Sequence, residues 1–311
     1  MDRRKWFALS GAAVTVFAGA AGYFGLQALE HRTVWRLVGA PNYGEAPTAE
    51  PPHPEVDHAF RMTVGPPSAE LDIWVLEPDS PPTGTVFVLH GVYDKKRTMV
   101  GFAKMLRTSV GLRAVLVDLR GHGHSTGDFL SFGQVDSRDL VQLMDRLEDE
   151  GRLVAPVSIY GPSYGAAVAL QTAERDPRIS NVVAVATFAS FERILLPYID
   201  HFHPQLAWLL PDSWSYRVLE AADQLASIEL KELDNVRAIQ NTEAHVLVMH
   251  GEDDRIISLD QAEALYDACG PERCRLVVFP GANHAESMSG DTLNRETVAW
   301  MKRGVQRADL D

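Results

Sequence analysis

Five residues, Gly161-Pro162-Ser163-Tyr164-Gly165, set a hydroxyl between two glycines. They follow the short run Val157-Ser158-Ile159-Tyr160 and lead into Ala166-Ala167-Val168-Ala169-Leu170-Gln171-Thr172-Ala173, built of good helix formers. This predicts a strand, a sharp turn and a helix with the serine at the tip. The glycines leave room where side chains would collide with the adjoining strand and helix. The helix N-terminus then turns free N–H groups and the positive end of its dipole toward developing negative charge. Such a serine is placed for nucleophilic attack. A hydroxyl is a poor nucleophile, however, until an imidazole takes its proton and a carboxylate holds that imidazole in the right tautomer.

The partners have to come from elements that can reach Ser163. Thr85-Val86-Phe87-Val88-Leu89 is apolar without alternation, as are Ala114–Val117, Val182–Val185, Val246–Met249 and Leu276–Phe279. Such runs are the mark of parallel strands buried on both faces. Helical patterns lie between them, for example Leu140, Leu143, Met144 and Leu147 ending at Gly151. Strand-helix alternation gives a parallel sheet covered on both faces. Sites on such sheets form beyond the C-terminal ends of the strands. Downstream of Ser163, two post-strand loops carry the needed chemistry. His250-Gly251-Glu252-Asp253-Asp254 follows one strand and Pro280-Gly281-Ala282-Asn283-His284 follows the last. His284 is the expected base. Glu252, Asp253 and Asp254 all stand where the acid should be.

Taken together these features resemble the α/β-hydrolase fold serine hydrolases, in the branch with prolyl-oligopeptidase-like and small esterase or lysophospholipase-like members. The resemblance covers roughly Thr63 to Val305. It rests on His90-Gly91 after the third strand, Asp118-Leu119-Arg120-Gly121-His122-Gly123-His124-Ser125 after the fourth, the serine turn, His250-Gly251-x-x-Asp254 after the seventh and His284 after the eighth. It implies a mostly parallel eight-stranded sheet with helices on both faces. It also implies the order Ser163, Asp254, His284, which takes Asp254 as the acid, and an oxyanion hole from the backbone N–H groups of Val92 and Tyr164. Hydrolysis of an ester or thioester through an acyl-enzyme on Ser163 follows, with no cofactor and no metal. A peptidase or amidase, or a non-catalytic binding protein on the same fold, are the alternatives. The oxyanion loop, Val92-Tyr93-Asp94-Lys95-Lys96-Arg97, is more charged than is common in that family and leaves room for an anionic substrate group.

The remaining sequence sets the surroundings. From Phe191 to about Asn241 the chain carries Tyr198, Phe202, Trp208, Trp214 and Tyr216 between two buried strands, a helical lid insertion at about 191–241. Aromatics exposed on that lid would favour lipid-like acyl substrates. His122 and His124 alternate, as do His201 and His203, but the first pair reads as part of a fold-defining turn and the second as lid surface. Cys269 and Cys274 flank Gly270-Pro271-Glu272-Arg273 and could close a small loop in an oxidising compartment; two cysteines without suitably spaced histidines make no zinc site.

Arg3-Arg4-Lys5 precede an uncharged run from Trp6 to Leu29. As a helix that run would extend about 36 Å, enough to cross a bilayer. The basic residues in front place the N-terminus inside and the body outside. Residues 1–32 therefore read as a single-pass anchor in the cytoplasmic membrane, with an export signal and a soluble periplasmic body as the alternative. Residues 33–56, rich in Pro, Glu and Ala, read as a linker or wrapping segment, and 57–311 as the hydrolase domain. The net charge of −13 disfavours nucleic acid as a partner, and no protein partner is inferable.

Overall fold

The computed structural model describes residues 24–44, 51–206 and 208–308. Residues 24–38 are helical (α1). Two strands follow, β1 (His58–Val64) and β2 (Ala69–Leu76), then β3 (Thr85–Val88), α2 (Val100–Val110), β4 (Arg113–Asp118), α3 (Asp136–Asp149), β5 (Val157–Pro162), α4 (Tyr164–Arg175) and β6 (Ile179–Val185). The lid insertion supplies α5 (Phe191–Phe202), α6 (Asp212–Ala226) and α7 (Asn235–Asn241). The chain closes with β7 (His245–Gly251), α8 (Leu259–Cys269), β8 (Cys274–Phe279), α9 (His284–Ser287) and α10 (Asp291–Ala308).

The strands form one eight-stranded sheet in the order β1-β2-β4-β3-β5-β6-β7-β8. β1 pairs antiparallel with β2 and β2 antiparallel with β4; every other pairing is parallel. The central strands read as continuous apolar runs because both their faces are covered. Ile159, Val182, Ala184, Val246 and Val248 face one core with α3, α4, α7 and α8. Tyr160, Val183, Val185, Leu247 and Met249 face the other with α2 and α10. Because β3, β5, β6, β7 and β8 all run parallel, the loops after β3, β5, β7 and β8 lie at one end of the sheet.

The N-terminal region joins this body. Val34, Leu37 and Val38 of α1 are buried in the same core as α3 and α4, Gly39 bridges Phe129, and the Ala40 N–H donates to Asp128 O at 3.0 Å. The expected boundary between residues 32 and 33 therefore falls inside one continuous helix. The apolar spacing Val34, Leu37, Val38 supplies the reason, since it turns one face of α1 inward. Among the described residues no helix is long and apolar enough to cross a membrane. Of the uncharged run Trp6 to Leu29, only residues 24–29 lie among them. Cys269 and Cys274 are joined in a disulfide that ties the end of α8 to the start of β8.

Candidate active site

Ser163 sits between β5 and α4 with φ 49° and ψ −113°, a region that costs a non-glycine residue strain. The surroundings hold it there. Its N–H donates to Val185 O at 2.7 Å. A Cβ on Gly161 would come within 2.2 Å of Gly165 O, and one on Gly165 within 2.6 Å of His90 O. The two glycines of the motif are thus sites of close backbone approach, one closing the turn on itself and the other seating α4 against the loop after β3.

The imidazole of His284 bridges the serine and the acid. Its Nε2 lies 3.1 Å from Ser163 Oγ and its Nδ1 2.6 Å from Asp254 Oδ2. His284 opens α9 behind a capping box, in which Asn283 accepts from the backbone N–H groups of Ala285 and Glu286 while Glu286 Oε2 accepts from the Asn283 N–H. That box fixes where the ring emerges. The loops after β7 and β8 pack so closely that a Cβ on Gly251 would stand 2.3 Å from Ala282 O. Only glycine permits the approach that brings acid and base together.

Of the three acidic candidates, Asp254 touches His284. Glu252 is exposed and its Oε2 accepts from the Gly281 N–H at 2.9 Å, while Asp253 is exposed with its N–H on Ala282 O. Asp254 is buried. Its Oδ1 accepts from the backbone N–H groups of Ile256 and Ile257, both at 2.9 Å. Burial works against its ionised form, but hydrogen bonds from His250, His284 and the Ile257 N–H outweigh that and hold the carboxyl well below the usual carboxylate range.

His250 was legible in the sequence only as part of a motif, and the structure gives it contacts with this carboxylate. Its buried ring donates from Nε2 to Ile257 O at 2.7 Å and lies 3.4 Å from Asp254 Oδ2. Its position at the end of a buried strand, four residues before an aspartate, was the available signal.

Of the two expected oxyanion donors, Tyr164 directly follows the serine and Val92 stands in the loop after β3. Tyr164 is the first residue of α4, where an N–H has no intrahelical acceptor. Its ring is buried, and its hydroxyl donates to Asp136 Oδ2 at 2.8 Å. Val92 is half-buried in the loop after β3. A Cβ on the preceding Gly91 would lie 3.9 Å from Pro162 O, so this loop rests against the residue before Ser163. Tyr93, next in line, has φ 62° and donates its hydroxyl to Arg36 O of α1 at 2.9 Å.

In the basic stretch that follows, the middle residue turns inward. Lys96 is fully buried, with its Nζ 2.5 Å from Asp118 Oδ2, 3.0 Å from Asp72 Oδ1 and 4.5 Å from the centre of the Trp74 ring. Arg97 also lies over Trp74 and donates to Pro51 O. Lys96 is therefore not free to meet an anionic substrate group: its charge is spent holding the loop to β2 and β4. Lys95 is exposed.

The turn after β4 is likewise structural. Asp118 also accepts from the His124 N–H, and Arg120 pairs with Asp139 through two bonds of 2.9 Å. His90 and His122 stack edge to face behind the serine turn with ring centres 4.9 Å apart. His203 of the lid lies 2.7 Å from Thr33 Oγ1.

Burial, and next His90 beside it, push the His122 imidazole down to about 3. His90 is lowered too, chiefly by burial. Both rings are neutral in the fold, whereas in the unfolded chain they take a proton near pH 6.5. The unfolded state therefore binds more protons as the pH falls from about 6.5 toward 3, and stability is lost across that window. Each pH unit costs up to about 1.4 kcal/mol per group. Urea midpoints measured from pH 7 to pH 4 should fall less steeply in His122→Phe than in the parent. Parallel curves would show that His122 is not protected from protonation.

With this geometry in place, comparison with known proteins is informative. A family model described as serine aminopeptidase, S33, matches residues 80–241. The uncharacterized protein YqkD of Bacillus subtilis is 26% identical over 220 residues, 68% of each chain. A Pyrococcus furiosus esterase superposes with a TM-score of 0.65 at 16% identity, over 87% of this chain and 97% of its own. A Pyrococcus horikoshii acylaminoacyl peptidase superposes with a TM-score of 0.55 at 17% identity, over 77% of this chain and 39% of its own. At these identities the structures speak for the fold.

Proposed function

The chain belongs to the serine aminopeptidase, S33, family of α/β-hydrolase enzymes, and from that premise we propose that it cleaves carboxylic esters through an acyl-enzyme on Ser163. One observation carries the reading: the unbroken relay from Ser163 Oγ to His284 Nε2 at 3.1 Å and from His284 Nδ1 to Asp254 Oδ2 at 2.6 Å.

The Asp254 carboxylate accepts the Nδ1 proton of His284, which leaves the Nε2 lone pair facing Ser163. As Oγ attacks the acyl carbon, its proton passes to Nε2. The carbonyl π pair moves onto oxygen, which the N–H groups of Tyr164 and Val92 receive. One such donor typically supplies about 3 kcal/mol to the transition state. Collapse expels the alkoxide, and His284 returns the proton to it. Water then repeats the sequence on the acyl-enzyme, and Ser163 is released with its proton restored. The strain at Ser163 presents Oγ without a conformational step.

The family's description favours a second reading, release of an N-terminal amino acid from a peptide. p-Nitrophenyl esters and aminoacyl p-nitroanilides, assayed side by side on the full chain, separate the two. The proposal expects kcat/KM for an ester to exceed that for every anilide tested, with both abolished in Ser163→Ala. Faster anilide turnover would replace the esterase reading with the peptidase one.

We further place the enzyme at a membrane. The uncharged run Trp6 to Leu29 behind Arg3-Arg4-Lys5 supports an anchor with the body on the outer side. The disulfide suits an oxidising compartment.

A further inference from the structure

The tip of the lid, between α5 and α6, carries apolar side chains in the open. Trp208 is 80% exposed, Leu209 58% and Leu206 37%. Scattered exposed apolar residues need no explanation, but three within four positions form a patch, and such patches mark interaction surfaces. This tip is fastened to α1 on both its flanks. Just before it, His203 bonds to Thr33 and Phe202 O accepts from Arg36. Just after it, Arg217 of α6 lies 3.6 Å from Glu30. The segments on either side of the patch are thus held to residues 30–36 of α1, directly after the uncharged run that ends at Leu29. The N-terminal end of α1 exposes Phe24 and Leu26, and the exposed Arg32 and Arg36 lie about two and three turns further on.

We propose that Leu206, Trp208 and Leu209 are a membrane-contact surface: the occupant of the patch is the lipid bilayer in which the Trp6 to Leu29 segment is anchored. The chemistry suits that partner. Tryptophan favours the boundary between acyl chains and headgroups, where its ring is half apolar and its N–H wet. The exposed Arg32 and Arg36 on α1 favour anionic headgroups. A second observation links the contact to the site. Arg36 of α1 donates to Phe202 O at the foot of the tip, and its own carbonyl accepts from the hydroxyl of Tyr93, which adjoins Val92. A lid fixed at the bilayer by its tip therefore presents the loop beside Ser163 to the membrane surface. The inference rests on the anchor proposed above and adds to it a second, independent point of contact.

The full chain is reconstituted into phosphatidylcholine vesicles with ordinary or brominated acyl chains, and tryptophan emission is compared between the parent and Trp208→Phe. The difference between the two proteins isolates Trp208. In ordinary vesicles that difference should be present; in brominated vesicles it should be lost through quenching. Activity on a short soluble ester should be the same in both proteins. An equal difference in both vesicle types, with the protein floating with the vesicles, would overturn the lid contact and leave the anchor standing. Failure to float would overturn both. Cross-linking between copies through residue 208, without quenching, would assign the patch to a second copy of the chain and likewise overturn the proposal.

Discussion

Replacing Ser163 with alanine is expected to lower kcat on an ester substrate by an order of 10⁶-fold. The melting temperature should hardly move, because the only side-chain hydrogen bond of Oγ among the described residues is the one to His284. The backbone that creates the turn does not depend on the hydroxyl. Ser163 N–H remains on Val185 O, and Gly161 and Gly165 still close the turn against each other and against His90. What is left is an intact pocket with its N–H donors, which in related chemistry retains about 10³- to 10⁴-fold acceleration over water. Steady-state kinetics and thermal unfolding on the same preparation check both halves. A variant that keeps more than a few per cent of activity would mean that another group does the chemistry.

The second large effect belongs to Asp254→Asn. An asparagine keeps the size of the side chain, and its carbonyl oxygen can still accept the N–H groups of Ile256 and Ile257. Its NH₂ then faces His284 Nδ1, which must become an acceptor. The ring proton moves to Nε2, the side facing Ser163, and the base can no longer take the serine proton. Inverting the tautomer in this way is worth about 10⁴-fold in kcat. KM should change little, because Asp254 is buried behind His284 and does not meet substrate. Glu252→Gln and Asp253→Asn serve as the controls, as both side chains are exposed and neither contacts the imidazole. If either control loses as much activity as Asp254→Asn, the acid is wrongly assigned.

Much of the fold could be read from the chain because its central strands are buried on both faces. Residues such as Val246–Met249 leave no polar face to confuse the period, and each such strand ends at a loop whose chemistry stands out against it. Hence Ser163, Asp254 and His284 were nameable one loop at a time. What the sequence did not reveal depends on distant partners. Lys96 reads as one charge of a loop with room for an anionic substrate group, but Asp72 and Asp118 on two strands receive it in the interior. Asp254 could be separated from Glu252 and Asp253 through a motif, yet the physical reason is the approach of Gly251 to Ala282, two loops far apart in sequence. The inward face of α1 was hidden for another reason. Val34, Leu37 and Val38 follow a long uncharged run, and the charged Glu30-His31-Arg32 looks like its end although it lies inside one continuous helix. His250 shows the same limit: its place in a motif was visible, but its bonds to Ile257 and Asp254 were not.

The central claim is that Ser163 is a nucleophile activated by His284. Reaction of the full chain with a fluorophosphonate, followed by peptide mass mapping, tests it most directly. A single phosphonylated peptide is expected, with the adduct on Ser163, no adduct in Ser163→Ala, and labelling slowed by orders of magnitude in His284→Ala. Adduct on another residue, or labelling that persists in Ser163→Ala, would contradict it.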